Sequence, residues 1–161
     1  MTNIICMNLS SSCNFPSNQS CTIPTNISTV PIETLLSSPD NIEVNGDKFE
    51  LQVGLSRNLT LTVNNGTDIP RCLNAYMDII NRSNNLRLPL SYKFESFWVI
   101  NEDKKVWEKN LLNYTAQKTL VLEGGPEWSE NKLYSVVIKL KDEIGKNYFI
   151  KLEKIKIETA I

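Results

Sequence analysis

Residues 41–53 read NIEVNGDKFELQV, and the phase of their apolar residues decides the fold. Ile42 and Val44 share one face of an extended chain, Asn45-Gly46 interrupts, and Phe49, Leu51 and Val53 resume the alternation. Successive side chains leave a strand on opposite faces, so alternation with period two marks a half-buried strand. Asn-Gly tolerates the positive φ that both central positions of a type I′ turn demand, which predicts a β-hairpin.

The same rhythm continues to the end of the chain. NLTLTVNNG (58–66) places Leu59, Leu61 and Val63 on one face and closes on a second Asn-Gly. LNAYMDIIN (73–81) aligns Leu73, Ala75, Met77 and Ile79 before the turn-rich NRSNN. LSYKFESFWVI (90–100) sets Leu90, Tyr92, Phe94, Trp98 and Ile100 on one side and Phe97 and Val99 on the other, as expected of a central strand covered on both faces. LYSVVIKL (133–140) buries Tyr134, Val136, Ile138 and Leu140 and turns through KDEIGK into NYFIKLEKIKI (147–157). In that last strand the apolar phase changes from Tyr148, Ile150 and Leu152 to Ile155 and Ile157, which predicts a β-bulge near Glu153-Lys154. About eight short strands separated by turns predict an all-β fold, an antiparallel immunoglobulin-like β-sandwich over 41–161, with a closed barrel as the alternative. The one helical signal is TVPIETLLSSP (29–39), where Pro31 opens a short turn and Ile32, Leu35 and Leu36 share a face.

Residues 1–40 differ in kind. Asn, Ser, Thr, Pro and Cys make up 25 of these 40 residues, and no Lys or Arg precedes Lys48. Such a segment is too poor in apolar residues to fold alone, and reads as an extended N-terminal arm. TIPTNISTVPI (22–32) still offers Ile23, Ile27, Val30 and Ile32 among β-branched neighbours, the type of segment that pairs with an open sheet edge. In cis it would cover its own domain; in trans it would link copies into an oligomer, since a head-to-tail contact that does not close propagates.

The charge balance bounds the partners. Seventeen Lys plus Arg against eighteen Asp plus Glu give a formal charge of −1. Neither nucleic acid nor an anionic membrane is an expected partner, since both need a concentrated basic surface. No apolar run approaches the ~18–20 residues of a membrane-spanning helix. The start, MTNIICMNL, has no cationic n-region and no apolar h-region, as expected of a non-secreted protein or of a mature chain with an added Met. Two features nevertheless point to an extracellular or cell-surface location, with a cytoplasmic one as the alternative. Cys6, Cys13, Cys21 and Cys72 allow two disulfides in three connectivities, or remain thiols. Asn-X-Ser/Thr sequons begin at Asn8, Asn18, Asn26, Asn58, Asn65, Asn81 and Asn113; these are seven where about three are expected by chance from 19 Asn and 25 Ser plus Thr in 161 residues.

The chain contains no histidine, which removes Ser-His-Asp and Cys-His machinery, and its cysteine spacings are not those of a zinc site. Glu102-Asp103 and Asp142-Glu143 are adjacent carboxylates in turns, where neighbouring side chains diverge. Asn41, Glu43, Asn45 and Gly46 mimic the first half of an EF-hand loop, but Gln52 stands where a bidentate Glu belongs. Gly124-Gly125 is followed by Pro126 and no basic residue, so it does not cradle phosphate. The expected protein is therefore non-catalytic, with no metal and no cofactor. Its partner is protein, reached through the arm or through EGGPEW (123–128), where Gly124, Gly125, Pro126 and Trp128 combine loop and aromatic; the other reading of Trp128 is a cap on the open end of the sandwich core. Trp98 and Trp107 fall on strands and are expected in the core.

From Tyr76 to Lys141 the segments YMDIINRSN, FWVINEDKKVWEKN, LVLEGGPEW and LYSVVIKLKD resemble the strand layout of BsuPI-type intracellular proteinase inhibitors. That family's pattern has a Gly before the late Tyr, where this chain has Lys132-Leu133. The resemblance implies an immunoglobulin-like fold and, as the alternative function, a cytoplasmic proteinase-inhibitor-like domain that binds protein.

Overall fold

The computed structural model describes residues 20–57 and 71–159. It is a mostly antiparallel β structure of two facing sheets with one short helix, a sandwich-like arrangement. Strands β1 (Asn41–Val44), β2 (Asp47–Arg57), β3 (Leu73–Ile80) and β6 (Leu120–Leu122) form the first sheet in that order. Strands β5 (Val106–Thr115), β4 (Lys93–Ile100), β7 (Tyr134–Lys141) and β8 (Asn147–Ile155) form the second. A final strand β9 (Ile157–Thr159) joins the first sheet parallel to β2, pairing Leu55 with Ile157. The strand expected at 59–63 lies outside the described residues.

The β1–β2 hairpin turns at Asn45-Gly46 with φ of 52° and 85°, the positive pair that a type I′ turn requires. Between the sheets lies the main core, in which Leu51, Met77 and Ile79 of the first sheet meet Phe97, Val136 and Ile138 of the second. The alternation in LNAYMDII and LYSVVIKL places these side chains as expected.

Two register shifts set the remaining phases. Tyr134 faces Ile155 while Val136 faces Leu152, so β8 carries an extra residue at Glu153-Lys154, with Lys154 at φ 61°. This is the bulge that the phase change in NYFIKLEKIKI predicts. Ile157, however, does not continue the strand; after the break at Lys156 it enters the first sheet as part of β9. The second shift corrects the reading of β4. Its register slips between Phe94 and Ser96, so Phe94 points into the main core beside Phe97 and Val99 and away from Trp98 and Ile100. The irregularity at Glu95 inverts the faces, and Leu90, before the strand begins, is exposed.

The opposite face of the second sheet is apolar too, and it is covered by the chain's own residues 20–40. Helix α1 (Ile32–Leu36) follows Pro31, as the sequence predicts, and fully buries Leu35 in a second cluster with Trp98, Ile100, Val106 and Val137. Val30, Ile32 and Leu36 pack at its border, and Trp98 stacks on Phe149. At one sheet edge Thr25 exchanges backbone hydrogen bonds with Val106, 3.2 and 2.7 Å. At the other edge the Lys151 N–H donates to Pro39 O at 2.9 Å, and the Lys151 ammonium donates to Leu36 O at 2.6 Å, closing the helix C-terminus. Residues 20–40 thus form a strap from edge β5 across β4 and β7 to edge β8.

Truncating Leu35 leaves a cavity under the strap that the rigid sheet cannot fill. Leu35→Ala is expected to destabilise the protein by about 2–5 kcal/mol, measured by urea denaturation; a change below about 0.5 kcal/mol, the usual size of a surface effect, would contradict the packing described.

Candidate protein-contact surface

The two interaction stretches of the sequence, the arm and EGGPEW, meet in the structure. Cys21 is disulfide-bonded to Cys72, just before β3. Beside it the Thr22 N–H and hydroxyl both donate to Gly124 O, at 3.0 and 2.7 Å. On its other side the loop pairs with the start of β3, since the Gly125 N–H donates to Leu73 O at 2.9 Å and the Leu73 N–H donates to Pro126 O at 3.2 Å. Gly124 is held at φ 81°, which favours glycine. Gly125 lies flat on Trp107, and a Cβ there would stand 2.7 Å from the indole ring. Cys6 and Cys13 lie outside the described residues.

This stitching separates the two readings of Trp128. Trp128 is not an exposed anchor: it is 8% exposed and stacks on the Tyr134 ring, centroids 5.3 Å apart. Pro126 is buried with it. The loop closes the end of the core because its backbone is spent on β3 and the arm, which turns its apolar side chains inward. A shallow cleft of about 360 Å³ remains outside, lined by Cys21, Ile23, Pro24, Pro126, Glu127 and Trp128. Ile23, 82% exposed, and Ile27, 81% exposed, project from the strap, whereas Val30 and Ile32 are occupied by the second cluster.

The other apolar surface belongs to an edge. Beyond Val106, no described residue pairs with the outer side of β5, and this stretch carries Leu112 at 61% and Tyr114 at 53% exposure. Its register against β4 is irregular, with Phe94 opposite Tyr114 but Ser96 opposite Asn110. Neither residue is among those singled out in the sequence. The available signal is the period-two spacing of Leu112 and Tyr114. On the neighbouring sheet Tyr76 lies across Gly54, filling the space a side chain would take, with Val121 directly opposite.

The turn carboxylates serve turns. Asp142 Oδ1 accepts the N–H groups of Ile144 and Lys146, 3.0 and 2.9 Å, and Oδ2 accepts the Tyr148 hydroxyl at 3.0 Å. Desolvation pushes the Asp142 carboxyl up, but the hydrogen bonds from Lys146, Tyr148 and Ile144 together outweigh it and hold the group below the usual carboxylate range. Glu102 accepts the Leu133 N–H at 3.1 Å, and Asn101 caps the β4–β5 turn through Asp103 and Lys105. Among the described residues no three His, Cys, Asp or Glu side chains converge as metal ligands, and no helix is long and apolar enough to cross a membrane.

The sequons divide sharply. Asn26 is exposed on the strap. Asn81 is 7% exposed and its side chain is spent on the β3–β4 turn: Oδ1 accepts the Ser83 N–H at 2.9 Å, while Nδ2 donates to Asp47 at 3.4 Å. The Asn81 amide nitrogen, to which a sugar would be linked, thus faces Asp47 and is shielded from solvent. Asn113 lies on β5; its side chain, with Asn8, Asn18, Asn58 and Asn65, is outside the description. Comparison of the chain with protein-family models, curated proteins and solved structures found no match.

Burial raises the Tyr134 phenol to about 12, helped by Glu102; burial, with the bond to Asp142, raises Tyr148 to about 12. A raised folded-state value favours the fold fully below the unfolded value of about 10, and the favour is lost as pH rises through about 12. Ultraviolet titration of the folded protein should show a phenolate step near pH 12 that Tyr134→Phe and Tyr148→Phe each reduce. Ionisation of these two phenols near pH 10 would contradict the burial and the bond.

Proposed function

We propose that this chain is a non-catalytic binding or structural module of a surface or extracellular assembly, an immunoglobulin-like sandwich whose contacts run along the open edge of β5. The observation that carries the reading is that the arm already pairs with this edge in cis, Thr25 against Val106, and that no other described residue pairs with the stretch bearing the exposed Leu112 and Tyr114. An exposed edge with apolar side chains is a template for a further strand. The occupant in this reading is the N-terminal arm of a second copy, which joins the sheet where the cis strap stops. The absence of histidine and the use of the turn carboxylates as backbone acceptors support a role in contacts. The Cys21–Cys72 disulfide fits an oxidising compartment.

Sedimentation velocity on the full chain tests this reading. Self-association is expected with rising concentration, and Leu112→Lys should weaken it more than tenfold while leaving circular dichroism unchanged, because Leu112 is exposed. A monomer at every concentration, or association indifferent to the charge, would contradict it.

A further inference from the structure

From the contrast between the described sequons we infer that Asn26 is an N-linked glycosylation site and that Asn81 is not. The sequon Asn26-Ile27-Ser28 sits on a bend of the strap, and the Asn26 side chain makes no hydrogen bond to any described residue. The bend is fixed by Thr25, whose hydroxyl donates to Ile27 O at 2.9 Å and accepts the Ile27 N–H at 3.3 Å. Asn26 is thereby presented outward at its apex. Ile27 beside it and Ile23 nearby are more than four-fifths exposed, and a hydrated glycan at Asn26 would screen this aliphatic surface from water. The disulfide five residues upstream independently matches the oxidising compartment in which such transfer occurs.

The chemistry is a group transfer from a lipid-diphosphate-linked oligosaccharide, catalysed by a membrane transferase. Asn26 Nδ2 forms a bond to the anomeric carbon, the anomeric carbon–oxygen bond to the diphosphate breaks, the lipid diphosphate leaves with the electron pair, and the amide loses one proton. In the folded protein the Ser28 hydroxyl donates to Glu108 at 3.3 Å and the Thr29 N–H to the same carboxylate at 3.1 Å. A transferase that reads the Ser28 hydroxyl must therefore act before the strap docks on β5. The finished fold then tolerates a sugar on Asn26, which faces solvent, and excludes one on Asn81, whose amide is buried in the turn it stabilises.

The test is peptide mapping of the full chain from its native source, treated with a glycan-releasing amidase in ¹⁸O water. The expected result is an ¹⁸O-labelled aspartate at position 26, lost in Asn26→Gln, and an unlabelled Asn81. An unmodified Asn26, or a glycan on Asn81 in folded protein, overturns the inference. The same map separates this inference from the edge reading, because a sugar found on Asn113 of β5 would speak against strand pairing there and leave Asn26 unaffected.

Discussion

The second sheet is apolar on both sides, and its outer side has to be covered. Trp98, Ile100, Val106 and Val137 face away from the main core, a surface that a lone two-layer sandwich would expose to water. Burying large side chains is worth roughly 1.5–3 kcal/mol each, so the sheet holds a strong demand for a third layer. The strap meets it with one short helix. Five helical residues would not persist alone in water, where helix nucleation is costly. Leu35 is held because the sheet supplies the other half of its environment, and the strap is tied at both edges, by Thr25 at β5 and Pro39 at β8.

The disulfide reinforces this arrangement from a distance. Cys21 and Cys72 are 51 residues apart in sequence, and closing a loop of that size removes denatured-state entropy worth about 4 kcal/mol in the simple chain model. It fastens the start of the strap to the start of β3, where EGGPEW also docks. One junction therefore aligns three segments: the strap, the end-closing loop and the first sheet.

Much of this was legible in sequence. Asn45-Gly46, the alternation in β3 and β7, the helix after Pro31 and the bulge at Lys154 each follow from a local preference that the tertiary structure respects. What escaped depended on contacts between distant segments. Beside Glu95 the alternation is interrupted by Ser96 and Phe97, but a strand covered on both faces reads the same way, so the sequence does not single out the irregularity that sends Phe94 inward. The loop composition around Trp128 leaves both an exposed contact and a core cap open, and its stacking on Tyr134 decides for the core. The arm looked too polar to fold because its apolar residues are few, yet Val30, Ile32, Leu35 and Leu36 suffice when a sheet already offers the matching surface. Asn26 and Asn81 have equivalent sequons, and burial alone separates them.

The third layer depends on the strap lying on its own sheet, with Leu35 against Trp98. The most direct measurement is an isotope-filtered NOE experiment on a mixture of labelled and unlabelled protein, read between the Leu35 methyl groups and the Trp98 indole ring. The account predicts strong contacts within one molecule and none between molecules. Contacts only between molecules, or no contact at all, would contradict it.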